Sequence, residues 1–293
     1  MASHRVNGIT IEIESLGKPH DPALLLLRGL GTQLAQWPSA LLDALTEADF
    51  RVVLFDNRDV GLSHKLDEVG APDLAAILAG RVQPAYRLAD MADDAVGVLD
   101  ALGIEQAHIA GISMGGMIVQ HVAAAHGDRC LSMTSIMSSS GAPGLPPAEP
   151  EAMAALMSQP EDPSNRECVI EHSTATQRVI GSPAYPMSDA ELRRYCEIAY
   201  DRCYHPEGVA RQMAAVVSDG SRVELLQQIR VQSLVIHGAQ DPLIPLSGGE
   251  DTARHIAGCR LEVIEGMGHD VTNANAPLLA SRLIDHARRA VSV

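Results

Sequence analysis

A chain of 293 residues, 46% of them hydrophobic, is long enough to bury a sizeable core as one large domain with an insertion, or as one and a half ordinary domains. Its formal charge of −15 argues against nucleic acid and anionic membrane surfaces as partners, since both need a basic face, and leaves neutral or cationic small molecules as the easier substrates. Five cysteines (Cys130, Cys168, Cys196, Cys203 and Cys259) form no CxxC pair and are odd in number, so free thiols in a reducing cytoplasm are expected. No zinc-type Cys/His spacing, metal cluster or cofactor motif is present. No basic start followed by an apolar run marks a signal peptide, and the longest early apolar run, residues 22–27, is too short to span a bilayer.

In chain order, residues 5–15 alternate apolar and polar side chains at Val6, Ile9, Ile11 and Ile13, which predicts an antiparallel opening hairpin. Residues 23–27 are apolar throughout, as in a strand buried on both faces, and run into Arg28-Gly29-Leu30-Gly31. A helix is predicted over 38–48, with Pro38 in its first turn. The next strand, 51–55, leads into the loop Asp56-Asn57-Arg58-Asp59-Val60-Gly61-Leu62-Ser63. Residues 88–102 carry Met91, Ala95, Val98, Leu99 and Leu102 at helical spacing, closed by Gly103. A short apolar strand over 107–110 enters Gly111-Ile112-Ser113-Met114-Gly115-Gly116, and 114–125 is again apolar at helical spacing. Another strand covers 130–137. This alternation predicts a mostly parallel sheet covered on both faces.

The pattern stops at residues 138–143 (Ser-Ser-Ser-Gly-Ala-Pro), and no strand signal returns before Arg222, while 190–199 and 209–218 read as helices. A helical cap over 142–222 is therefore expected between two core segments, 1–141 and 223–293. Such a cap roofs the carboxyl ends of the strands, where ligands of open α/β sheets bind. The core resumes with a strand at 233 that ends in Ala239-Gln240-Asp241-Pro242. A further strand from 261 ends in Gly266-Met267-Gly268-His269-Asp270.

The strand–Gly-x-Ser-x-Gly–helix context is that of a serine nucleophile on a strained turn, with the flanking glycines making room for neighbouring backbone. The structural alternative is a Gly-rich helix start with a serine cap. A serine hydroxyl needs a base within hydrogen-bond reach, and His269, on a Gly-bracketed loop after a strand, is the candidate. Asp241 is the candidate acceptor for the other imidazole N–H; its local alternative is a plain Asp-Pro turn. The rival position for the acid, after the strand over 130–137, holds Ser138, Ser139 and Ser140 and no carboxylate.

The chain order Ser113, Asp241, His269 resembles that of the α/β-hydrolase-fold serine hydrolases, nearly end to end, and differs from the orders of other serine-hydrolase folds. The resemblance implies an eight-stranded, mostly parallel sheet flanked by helices with an inserted helical cap. It also implies an oxyanion hole made by the backbone N–H groups of Leu30 and Met114. Residues 30–32, Trp37-Pro38 and the 56–59 loop look most like the subgroup of anthracycline-type polyketide methyl esterases. The 56–63 loop is then structural, tied by Arg58. Arg28 departs from the His-Gly found at this loop in many relatives; its charge either pairs with Asp59 or binds a substrate carboxylate. Met153, Met157, Met187 and Met213 line an adaptable pocket or pack the cap helices, and Trp37 borders that pocket or packs in the core.

The expected activity is serine-dependent hydrolysis of a carboxylic ester of a small, largely apolar molecule. No cofactor or metal takes part, and neither nucleic acid nor membrane is a partner. A lactonase, thioesterase or cofactor-free haloperoxidase (perhydrolase) uses the same triad, as does a carbon–carbon bond hydrolase. Serine rather than aspartate at residue 113 argues against haloalkane dehalogenase and epoxide hydrolase chemistry. A receptor-like ligand-binding protein of the same fold is the non-enzymatic alternative.

Overall fold

The opening hairpin pairs β1 (Ala2–Val6) with β2 (Ile9–Leu16) about Asn7 and Gly8, both at positive φ, as a two-residue turn matched to strand twist requires. The computed structural model describes residues 1–291. Six further strands follow: β3 (Ala23–Leu27), β4 (Arg51–Phe55), β5 (Ala107–Ile112), β6 (Cys130–Ile136), β7 (Ser233–Gly238) and β8 (Arg260–Ile264). They form one eight-stranded sheet in the order β1-β2-β4-β3-β5-β6-β7-β8, in which β2 alone runs against the others.

The helices are α1 (Ser39–Glu47), α2 (Leu74–Leu78), α3 (Leu88–Ala101), α4 (Met114–Ala125), α5 (Pro150–Met157), α6 (Arg166–Ile180), α7 (Asp189–Cys203), α8 (Pro206–Asp219), α9 (Val223–Leu226), α10 (Leu246–His255) and α11 (Ala276–Ala290). The strands β3 and β4 are apolar at every interior position because helices cover both faces. Leu25, Leu27, Val53 and Phe55 join the core that α3 and α4 close. The intervening Leu24, Leu26, Val52 and Leu54 join the opposite core, against Leu41 and Leu45 of α1 and Leu279 and Leu283 of α11. Pro38 stands just ahead of α1 at φ −60°, one residue earlier than the expected first turn.

Because β4 lies on one side of β3 and β5 on the other, the strand order reverses beside β3. Such a reversal is where open α/β sheets place their ligand sites, at the carboxyl ends of the strands. Between β6 and β7 the chain contains helices and no strand. Two buried ion pairs fasten this helical segment to the loop after β4: Arg202 of α7 to Asp56 at 2.6 Å, and Arg211 of α8 to Asp59 at 2.7 Å. Gln33 adds bonds from its amide nitrogen to the Ala199 and Cys203 carbonyls at 2.8 and 2.9 Å. Breaking one partner of such a buried pair typically costs about 3–5 kcal/mol.

Two buried histidines give the fold an acid limit. His108 of β5 bonds the Ser132 hydroxyl at 2.9 Å, and His286 of α11 bonds the Met133 carbonyl at 3.2 Å. Burial lowers both pKa values to about 4, with a smaller push on His108 from His286. Both are depressed below the unfolded histidine value of about 6.5, so the unfolded chain takes up protons first. Their contribution is complete above that pH and is lost as pH falls toward 4, at up to about 3 kcal/mol each. Urea unfolding at pH 7 and pH 4.5 is expected to show this loss, and a His108→Gln/His286→Gln variant is expected to lose markedly less. An equal loss in both proteins would assign the acid limit to other groups.

Candidate active site

Ser113 sits at the apex between β5 and α4 with φ 55° and ψ −120°, a conformation that a non-glycine residue adopts only when its surroundings enforce it. The enforcement is visible in the flanking glycines. A Cβ on Gly111 would strike the Gly115 carbonyl, and one on Gly115 would strike the Leu27 carbonyl at the end of β3. The turn therefore packs backbone directly on backbone, and the Ser113 hydroxyl is lifted to the carboxyl edge of the sheet.

His269 reaches that hydroxyl from the loop after β8, with Nε2 2.9 Å from Ser113 Oγ. Its Nδ1 lies 2.8 Å from Asp241 Oδ2, on the loop after β7. With Nδ1–H donating to the carboxylate, Nε2 is left as the acceptor for the serine proton. The remaining Asp241 oxygen accepts from the backbone N–H groups of Leu243 and Ile244 at 2.9 and 2.8 Å, so the carboxylate is buried with its lone pairs engaged. His237 lies 3.8 Å from Asp241, but burial lowers its pKa and its Nε2–H is given to the Ile244 carbonyl. At the rival acid position, Ser140 bonds Asp251 and Ser138 is buried.

The loop after β3 passes close to the nucleophile: a Cβ on Gly29 would lie 3.1 Å from Ser113 Cβ. Leu30 and Met114 both border the cavity in front of Ser113. This cavity has a volume of about 450 Å³ and is walled mainly by apolar side chains. Met153, Met157, Met187 and Met213 all line it; Met187 and Met213 are partly buried, whereas Met153, Met157 and the lining residue Leu78 are exposed. Arg28 lines it as well. Arg28 is not the partner of Asp59, contrary to one sequence expectation: Asp59 is engaged by Arg211. Trp37 does not reach the cavity. It is buried in the core beneath α1, with the Arg28 guanidinium 4.8 Å above its ring.

A profile of the family described as alpha/beta hydrolase fold matches residues 22–163. Over 96% of both chains the sequence is 27% identical to rhodomycin D methylesterase DauP of a Streptomyces species. It is 26% identical to 3-oxoadipate enol-lactonase 2 of Acinetobacter baylyi, over 97% of this chain and 93% of that one. The structure superposes on the enol-lactonase of Burkholderia xenovorans with a TM-score of 0.72 at 22% identity, covering 98% of this chain and all of the other. This chain has the α/β-hydrolase fold.

Several residues that shape this site carried no signal in the sequence. Gln212 of α8 is buried; its Oε1 accepts from the Gly31 N–H at 2.9 Å and its amide donates to the Arg58 carbonyl at 2.8 Å, fixing the loop that holds Leu30. Tyr195 of α7 enters the cavity wall, and its hydroxyl accepts from Arg28 Nη2 at 2.7 Å. Asp270 also borders the cavity. Burial pushes its carboxyl up to about 6, although it accepts from the Ser182 hydroxyl and, at 3.0 Å, from the Ser182 N–H. The glycines beside His269 are tightly packed. A Cβ on Gly268 would strike the Gly181 carbonyl and one on Gly266 would strike Ala184, so they admit the chain after α6 and not the nucleophile turn. Arg58 ties its loop as expected from the motif, through Asp94 at 2.7 Å.

The strain at Ser113 has a measurable consequence. Glycine is the residue suited to its backbone angles, so Ser113→Gly is expected to be more stable than Ser113→Ala by about 1–2 kcal/mol in chemical denaturation. Equal stability of the two variants would show that the turn is relaxed.

Proposed function

We propose that this chain is a serine hydrolase that cleaves a carboxylic ester of a small, largely apolar molecule through an acyl-enzyme on Ser113. The observation that carries this reading is the unbroken hydrogen-bonded series Asp241–His269–Ser113, with links of 2.8 and 2.9 Å, opening onto an apolar cavity. Ser113 Oγ attacks the ester carbonyl while His269 Nε2 takes its proton. The tetrahedral oxyanion is held by the N–H groups of Leu30 and Met114, each donor of this kind being worth about 10²–10³ in rate. Collapse expels the alcohol, which receives the proton from His269. Water then attacks the acyl-enzyme with His269 as base, and the acid leaves. Asp241 holds the imidazole tautomer and stabilises the imidazolium formed in each half.

The relatives named for methyl ester and enol-lactone substrates support ester chemistry. Thioesters and perhydrolysis would use the same residues, and a substrate panel separates them. Residues 142–222 act in this reading as a cap, since their helices supply Met153, Met157, Tyr195 and Met213, and the segment between α6 and α7 supplies Met187, to the cavity wall and so exclude water from the acyl-enzyme. Among the described residues no helix is long and apolar enough to cross a membrane, and all five cysteines are free thiols, which supports a cytoplasmic setting.

A fluorophosphonate is expected to add once to the wild type and not to Ser113→Ala, read by intact mass. Asp241→Asn is expected to keep the fold and lose about 10⁴ in kcat against the best ester of the panel, because the imidazole would then present the wrong tautomer. A Ser113→Ala protein that turns over esters as fast as the wild type would overturn the mechanism.

A further inference from the structure

The fold buries three arginines almost completely: Arg28, Arg211 and Arg222, at 2%, 2% and 4% exposure. Arg211 is neutralised by Asp59, and Arg222 by Asp219. Arg28 has no carboxylate within ion-pair distance among the described residues. Its Nε donates to the Thr32 hydroxyl at 3.3 Å, its Nη2 to the Tyr195 hydroxyl at 2.7 Å, and its face lies on Trp37. All three partners are neutral, and burial raises the Tyr195 pKa, keeping that phenol protonated. An uncompensated charge in such a place is strongly unfavourable unless something else supplies the counter-charge.

Arg28 borders the catalytic cavity, beside the Tyr195 that accepts from its Nη2, and directly precedes Gly29 and Leu30 in the loop that passes the nucleophile. Asp270 is the one carboxylate among the residues lining the cavity, and it is engaged by the Ser182 hydroxyl and N–H. We infer that Arg28, held in place by Tyr195 and Thr32, binds a carboxylate on the substrate, so that the preferred substrates are acidic esters or lactones: an apolar body bearing one carboxylate within reach of the reacting carbonyl. The overall charge of −15 pointed toward neutral or cationic substrates. At contact distance inside a cavity, however, the nearest unpaired charge outweighs surface charges lying beyond a Debye length of about 8–10 Å.

This inference rests on the ester-cleaving reading for its chemistry but not for its measurement. Binding is read by calorimetry on Ser113→Ala, where no turnover occurs, with two probes: methyl hydrogen glutarate, a monoanion, and dimethyl glutarate, its neutral diester. The monoanion is expected to bind at least about 10-fold more tightly, the scale of charge-assisted hydrogen bonds to a carboxylate. Adding Arg28→Gln is expected to remove that preference by about 10- to 100-fold, and adding Arg28→Lys to retain part of it. A purely structural role for Arg28 would weaken both probes alike and leave the ratio unchanged, overturning the inference. If Arg28→Gln does not fold, the ratio in Ser113→Ala alone decides: a diester that binds as tightly as the monoanion overturns it. An active enzyme without the monoanion preference would refute the Arg28 site and leave ester hydrolysis intact.

Discussion

Everything at the carboxyl edge of this sheet depends on the backbone contact between the nucleophile turn and the end of β3. Gly115 lets the first turn of α4 touch the Leu27 carbonyl, and Gly111 lets the same turn close on β5. Side chains at either position would force the strand and helix apart, and with them the distance from Ser113 to the loop carrying Gly29 and Leu30. Ser113 bears the consequence as a left-handed backbone, which costs roughly 1–3 kcal/mol. Packing on both faces of the sheet maintains that conformation, since β3 and β5 lie in the middle of the strand order with cores above and below.

A second tier of interactions ties the helices between β6 and β7 to that edge. The carboxylates Asp56 and Asp59 belong to the loop after β4, and each receives an arginine from α7 or α8. The same two helices supply Tyr195 to the cavity wall and Gln212 to the loop after β3. The ion pairs thus do more than fasten one segment to another; they set the positions from which polar groups reach the catalytic loops. Such pairs contribute little net stability compared with apolar packing of the same volume. Their directional geometry is what an apolar contact would not provide.

Within this frame the cavity has an uneven character. Seven methionines, which are flexible and polarisable, share its wall with leucines, isoleucines and valines and fit apolar bodies of varied shape. Four ionisable residues interrupt this wall: the His269 base, Asp270 in a site that raises its pKa, Tyr195, and Arg28 without a carboxylate. Apolar area supplies affinity there, and the few polar groups fix orientation.

The sequence by itself determined the sheet and the three loops that carry Ser113, Asp241 and His269, because each is announced locally: an apolar run of strand length, then glycine or proline, then one residue of the right chemistry. It determined much less about 142–222. The helix over 166–180 was not visible, since its polar residues (Glu171, Ser173, Thr174, Thr176 and Gln177) leave only a weak apolar period, and its buried contacts come from other helices. The pairings that no local pattern encodes came from the packing of distant segments. Asp59 takes Arg211, 152 residues away, and leaves Arg28 to Tyr195, 167 residues away. Trp37 goes to the core beneath Arg28, and Gly268 faces the end of α6. Strands and turns follow from short-range sterics and periodicity, whereas the partner of a buried charge is selected by which distant segments the fold brings within 3 Å.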